Sequence, residues 1–184
     1  GISQDQQDFL WLAAEFDGLL RFDGQQYLRF AAPSPQQHLS YSQVVTDQHN
    51  QLWIGTWGDG VWQLDALRKH WQQVTGLEEK AQVQALKISS TGTLWVGTTH
   101  GLYQRSEAQQ QATLWPALKG IRIWHIAEQN DGTLWVGTSK GLYLLRPTDA
   151  SQSHWFEHPD LTNTEIRAVA IHDQQVLICL RAHV

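Results

Sequence analysis

One cysteine, Cys179, and no methionine occur among the 184 residues. A lone thiol excludes a disulfide framework inside the chain and a thiolate zinc cluster. With no methionine, residue 1 is not a translational start, and the chain is expected to be a processed or excised piece of something longer. No run of ~18 apolar residues occurs, so no part of it reads as a membrane-spanning helix, and no signal-peptide pattern is legible. Positive charge is scarce: 13 Lys and Arg stand against 18 Asp and Glu, a formal net charge of −5. Nucleic-acid binding wants a basic stripe, so a nucleic-acid partner is not expected. A sustained helical period with caps is also missing. The nearest candidates, Ala66 to Gln73 and Leu77 to Leu86, are better claimed as strands.

Tryptophan is abundant, with 10 residues, and 41% of the chain is hydrophobic, enough for one globular unit with a real core. The tryptophans explain themselves by repetition. Leu134-Trp135-Val136-Gly137-Thr138 is followed by Gly141-Leu142-Tyr143. The same string recurs as Leu94-Trp95-Val96-Gly97-Thr98 with Gly101-Leu102-Tyr103, and as Leu52-Trp53-Ile54-Gly55-Thr56 with Gly60-Val61-Trp62. A looser copy is Leu10-Trp11-Leu12-Ala13-Ala14 with Gly18-Leu19-Leu20. The intervals between Trp11, Trp53, Trp95 and Trp135 are 42, 42 and 40 residues. A decayed fifth copy fits Val176-Leu177-Ile178-Cys179-Leu180. A fixed period in the forties marks a repeat architecture.

Each repeat divides into four short strand-like runs with turn residues between them. In the fourth these are Ile121 to Ala127, Thr133 to Thr138, Leu142 to Leu145 and Ser153 to Glu157, with a hairpin at Asn130-Asp131-Gly132. Alternation puts Leu134, Val136 and Thr138 on one face and Trp135 and Gly137 on the other. In the fifth, Asp173-Gln174-Gln175 is the expected hairpin. Trp71, Trp115 and Trp155 are assigned to the outer strands. Four strands per repeat of this length make a β-propeller blade. The fold expected is an all-β propeller with four four-stranded blades plus a partial fifth, at about 1–31, 41–75, 82–116, 121–157 and 165–184. The repeated Trp fills the space between blades, each worth roughly 4–6 kcal/mol as an upper bound. The motif Gly lets neighbouring blades approach. Cys179 replaces that Gly and is expected to be buried and inert.

These residues resemble the two-component regulator propeller repeat, roughly Asp-Gly-x-Leu-Trp-Ile-Gly-Thr followed by Gly-Leu and an aromatic with Asp. The stretch from Asp8-Phe9-Leu10-Trp11 to Phe22-Asp23-Gly24 is similar to a first repeat of that family. The resemblance implies a piece of a seven-bladed propeller from the periplasmic sensor half of a membrane-bound signalling protein. The output halves in that family are histidine kinases, hybrid kinases or diguanylate cyclases, none of which lies in this chain.

Propeller ligands sit at one face near the central channel. The loops expected there carry Glu15, Phe16 and Asp17; Trp57, Gly58 and Asp59; Thr99 and His100; Ser139 and Lys140. Such polar and aromatic groups suit a small polar ligand, a carbohydrate among them; the plain alternative is a solvated turn. Arg122, Trp124 and Arg167 lie where blades begin and join the same face. No catalytic residue, metal site or cofactor is read. His154 and His158 would suit a metal only on a helix; on a strand they stand roughly 13 Å apart. No nucleophile elbow is present. The function expected is a sensory module acting by binding. A lyase-type propeller enzyme, using groups such as His100, Glu15 and Lys140, and an oligomerisation platform are the alternatives. Flanks left open by an incomplete ring, with Ile2, Leu10 and Leu12 at one end and Ile166, Val169, Leu177 and Cys179 at the other, point to self-association.

Overall fold

The turn between the first two strands of every repeat is set by one residue in the left-handed region. Three residues before each motif Trp stand Asp8, Asn50, Gly92 and Gly132, with φ of 64°, 57°, 80° and 82°. Asn, Asp and Gly are the residue types that tolerate this conformation. In the fourth repeat Gly132 alone has positive φ, and Asp131 does not. The turn is therefore a type I turn closed by a left-handed residue, not the two-residue turn that Asp-Gly first suggests. The residue six before the Trp anchors it: the amides of Asp8, Asn50, Gly92 and Gly132 donate to the carbonyls of Asp5, Asp47, Ser89 and Gln129.

A computed structural model describes residues 1–33, 39–172 and 175–180. The first blade comprises β1 (Ile2–Gln4), β2 (Leu10–Ala14), β3 (Gly18–Phe22) and β4 (Tyr27–Phe30). The second comprises β5 (Tyr41–Thr46), β6 (Leu52–Thr56), β7 (Val61–Leu64) and β8 (Trp71–Gln73). The third has β9 (Val83–Ile88), β10 (Leu94–Thr98), β11 (Leu102–Arg105) and β12 (Thr113–Leu114). The fourth has β13 (Ile123–Glu128), β14 (Leu134–Thr138), β15 (Gly141–Leu145) and β16 (His154–Trp155), and a hairpin of β17 (Ile166–His172) and β18 (Gln175–Leu180) follows. Each blade is an antiparallel sheet in sequence order. Among the described residues the only helical pieces are two 3₁₀ turns, Pro116–Leu118 and Ala150–Gln152, so both helical candidates are indeed strands and turns.

Successive inner strands β1, β5, β9, β13 and β17 pack side by side, and each second strand packs on the next blade's inner strand. No comparable packing returns from β17 or β18 to β1 or β2. The result is an open arc, a partial propeller. Four apolar clusters fill its four seams. Trp11 meets Val44, Leu52 and Ile54; Trp53 meets Leu86, Leu94 and Val96; Trp95 meets Ile126, Leu134 and Val136; Trp135 meets Val169 and Ile178. The motif Trp of one blade thus packs on the Leu and Val of the next. A Cβ on Gly97 would lie 2.6 Å from Ile123 Cγ2, and one on Gly55 the same distance from Val83 Cγ1. Any side chain there would hold the blades apart.

Several expectations change. Trp71 and Trp155 lie on the outer strands β8 and β16 as expected, whereas Trp115 lies just past β12 and is not the counterpart of Trp155. Pairing puts Trp155 opposite Tyr143 and Leu114 opposite Tyr103, so Trp115 corresponds to Phe156. Phe156 packs on Trp135 at 5.6 Å, as Trp115 packs on Trp95 at 5.8 Å and Phe30 on Trp11 at 4.7 Å. A one-residue difference in loop length moved the aromatic to the other face. Ile166 and Val169 are not on the open flank; they are buried against the fourth blade. Cys179 is exposed, not buried: it holds the motif Gly's place, but no other described strand packs over it. His158 lies past the end of β16, so strand spacing does not govern its separation from His154. Two of the three residues of the expected hairpin Asp173-Gln174-Gln175 lie outside the described residues.

Candidate ligand-binding face

The motif Thr builds one face of the arc. Thr56, Thr98 and Thr138 are fully buried. Their hydroxyls donate to the carbonyls of Gly60, Gly101 and Gly141 and accept from the amides of Asp59, His100 and Lys140. Each Thr thus ties a loop between second and third strands into a fixed shape. The residue after it then bonds the start of its own blade: the amides of Trp57, Thr99 and Ser139 donate to the carbonyls of Ser40, Gln82 and Arg122. Loops and blade starts therefore share one face, as the sequence led us to expect.

The inner strands carry a second device there. Pairing skips one residue in each: Ser42, Gln84, Trp124 and Arg167. Such bulges release a side chain from the ladder and re-aim it. At the fourth and fifth blades the released groups meet. The Arg167 guanidinium lies 3.6 Å from the centre of the Trp124 ring, and that of Arg122 lies 5.0 Å away. Cation–π contacts of this kind contribute about 0.5–2 kcal/mol according to exposure. Arg167 also pairs with Glu165 at 3.2 Å. The Trp124 indole N–H is buried and bonds no other described residue. Two guanidiniums and an indole N–H against one carboxylate leave the cluster rich in donors and poor in acceptors. It suits a ligand whose outer surface is oxygen. Beneath it the Val169 amide donates to His125 Nδ1 at 3.4 Å, and burial holds the His125 pKa below its usual value.

The other predicted residues are dispersed along the face. Glu15, Phe16 and Asp17 line a groove of about 630 Å³ between the first two blades, where Asp17 pairs with Arg29 at 2.8 Å. Tyr41 lines the same groove; its hydroxyl has no partner, and burial pushes its pKa up to about 12. Trp57 is 40% exposed and bridges to Gln82, beside the exposed Asp59. Thr99 bonds His100, whose Nδ1 lies 3.4 Å from Glu78. Lys140 lines a separate cavity with Trp155 and Phe156. So Arg122 and Trp124 come together, and Glu15, Phe16, Asp17, Trp57, Asp59, Thr99, His100 and Lys140 do not join them in one cluster. Arg29, Tyr41 and Glu78 were not foreseen, since only tertiary packing brings them to the loops. Among the described residues no group of three His, Cys, Asp or Glu could hold a metal, and no helix is long and apolar enough to cross a membrane.

The sequence model of the family described as "Two component regulator propeller" matches residues 117–140, which span the β13–β14 hairpin and its Thr-closed loop. The second and third blades carry the same Leu-Trp-(Ile or Val)-Gly-Thr in the same register, and the first a looser copy. Over these residues the chain matches the two-component regulator propeller repeat. Solved propellers superpose on the arc. The extracellular domain of a hybrid two-component system from Bacteroides thetaiotaomicron matches at a TM-score of 0.79 and 21% identity, over 96% of this chain and 25% of that one. A second such domain from the same organism matches at 0.72 and 24% identity, over 92% and 25%. Virginiamycin B lyase from Staphylococcus aureus matches at 0.76 and 12% identity, over 98% and 62%. The chain thus spans about a quarter of the length of the two-component domains. At these identities the likeness is one of fold. No curated protein sequence matches the chain.

Proposed function

We propose that this propeller segment is an extracytoplasmic, periplasmic sensory module of a bacterial signalling protein and works by binding a small, oxygen-rich polar ligand, a carbohydrate among the candidates. The observation that carries the reading is the Arg122–Trp124–Arg167 cluster, which takes groups from two blades. A ligand held there changes how the blades sit against each other, and such a bias can be read by a domain downstream. The output domain, whether histidine kinase, hybrid kinase or diguanylate cyclase, lies outside these residues. The family resemblance and the fold shared with two-component extracellular domains support this assignment. The chain itself is proposed to carry no chemistry, cofactor or nucleic-acid partner.

The test is a thermal-shift and calorimetric screen with neutral and acidic oligosaccharides. The expected result is a saturable response to at least one, weakened tenfold or more in Trp124→Ala and Arg122→Ala, with ligand-free melting little changed. A response that survives Trp124→Ala would place binding elsewhere. New products formed from the ligand would favour a lyase-type enzyme. Concentration-dependent assembly with no ligand response at all would favour an oligomerisation platform.

A further inference from the structure

On the opposite face of the arc, the hairpins and the loops between third and fourth strands form one groove per seam. The seams can be compared directly, because the repeat puts equivalent residues in each. Between the first and second blades the groove is filled. Asp5 takes the Gln7 and Phe9 amides on one oxygen and the Trp11 indole N–H on the other at 2.7 Å. The Arg68 guanidinium covers Trp11 at 5.0 Å and pairs with Asp5. Between the second and third the arrangement repeats. Asp47 takes the His49 and Gln51 amides on one oxygen and the Trp53 indole on the other at 2.9 Å. The Arg105 guanidinium covers Trp53 at 5.0 Å, and about 240 Å³ of groove remains.

The seam between the third and fourth blades breaks the pattern in two places. Ser89 replaces the Asp. Its single oxygen does the first job, accepting from the Thr93 amide at 3.1 Å and bonding the Thr91 hydroxyl at 2.9 Å, and nothing does the second. Trp95 is fully buried, and its indole N–H has no partner. Leaving a buried donor unsatisfied costs about 1–3 kcal/mol, so a third oxygen is wanted at this spot. The position of Arg105 is held by Leu64 in the second blade and Leu145 in the fourth, each paired with the motif Leu of its blade; the second blade supplies Arg68 from the following loop instead, but no guanidinium stacks on Trp95 among the described residues. Arg146 lines the groove and bonds Gln152 at 2.7 Å. The groove, lined by Trp95 among others, opens to about 680 Å³.

We propose that this groove is a second binding site, for a neutral polyhydroxylated molecule of monosaccharide size, one oxygen of which accepts the Trp95 N–H. The nitrogen is buried without a protein partner, and its ring lines the groove, so an occupant that displaces the lining slightly can supply the missing oxygen. The lining argues for a neutral ligand. Glu128 is already taken by Ser90 at 2.6 Å and Lys87 at 3.5 Å, and Asp131 by the Thr133 amide at 2.9 Å. Gln104 and Asn130 also line the groove. Each offers a donor and an acceptor to a hydroxyl, and with Glu128, Asp131 and Arg146 on one lining neither sign of charge dominates it.

The experiment follows the tryptophan indole signals of ¹⁵N-labelled protein by NMR, with the Trp95 peak assigned from Trp95→Phe. Glucose, galactose, arabinose and sodium acetate are titrated separately. The expected result is a saturable shift of the Trp95 peak with at least one sugar and none with acetate. Ser89→Asp restores the internal acceptor. It should move the Trp95 peak without sugar, raise the melting temperature by several degrees and weaken the sugar response tenfold or more. Gln104→Ala should weaken the response several-fold with melting unchanged. A Trp95 peak that stays fixed with every sugar, that moves with acetate alone, or that still responds in Ser89→Asp would overturn the proposal. The site proposed on the other face is read separately by the Trp124 signal. A Trp124 shift with the Trp95 peak fixed counts for that site and against this one.

Discussion

Trp95 and Trp135 hold the same place in successive repeats, but only Trp95 is completely enclosed; Trp135 packs on the terminal hairpin and keeps part of its surface in solvent. Trp95→Ala should therefore cost about 3–5 kcal/mol, the range for truncating a buried aromatic, and Trp135→Ala less. The exposed Lys140→Ala should stay within about ±0.5 kcal/mol. Chemical denaturation of the three variants orders them, and equal midpoints for Trp95→Ala and Lys140→Ala would remove the tryptophan from its inter-blade role. Gly97→Ala inserts a Cβ 2.6 Å from Ile123 Cγ2 and should destabilise by about 1–3 kcal/mol, as overpacking does, although the backbone there needs no left-handed turn. Asp5 supplies the acid-sensitive contact. Burial alone would raise its pKa, but the hydrogen bonds from Trp11, Gln7, Phe9 and Arg68 together bring it below the usual value of 3.8. A depressed carboxylate stabilises the fold above its unfolded pKa, and that stability is lost as pH falls through the folded one. Melting temperature should drop below about pH 4, and Asp5→Asn should flatten that part of the profile.

At the scale of the element, the β13–β17 contact carries its own pH dependence. His125 Nδ1 accepts the Val169 amide only when unprotonated, and burial depresses the ring's pKa below 6.5. The unfolded chain therefore takes up a proton first, and stability falls as pH drops below 6.5 toward the folded value. Thermal melts between pH 7.5 and 5.5 should show a smaller loss in His125→Asn than in the parent. How far such elements were legible differs by residue. The hairpins were readable because Asp8, Asn50, Gly92 and Gly132 are the types that accept positive φ. The seams were readable because Trp and Gly alternate with Leu and Val at period two. Trp71 and Trp155 were placed on their outer strands correctly, but Trp115 was matched with Trp155 instead of Phe156 because loops between third and fourth strands differ in length, and spacing alone does not reveal where pairing resumes. The bulges at Trp124 and Arg167 were invisible, since a skipped residue leaves no mark in composition. Trp124 and Arg122 were picked from their place at a blade start, but their stacking with Arg167 depends on two blades meeting.

For the whole molecule, the two ends of the arc are the two halves of one seam. Ile2 is 70% exposed and Leu10 36%, while their counterparts Val44 and Leu52 are 1% and 0% exposed. Leu177, 59% exposed, and Cys179 stand where Trp135 and Gly137 meet the next blade. Both ends of this segment thus expose apolar side chains, and unpaired strand edges invite association. We propose that two copies join end to start at both contacts, giving a ring with two-fold symmetry. Sedimentation at micromolar concentration should show a dimer, weakened by Leu10→Lys or Leu177→Lys; a clean monomer with low binding of a hydrophobic dye would rule this out. The bulged positions have a different consequence. Ser42, Gln84, Trp124 and Arg167 are unpaired in the ladders and belong to none of the apolar clusters. Ser42 is buried beside Gly55, but Gln84, Trp124 and Arg167 are only partly buried. Those three positions can drift with less effect on the scaffold, which makes them the natural places to randomise when a new specificity is sought.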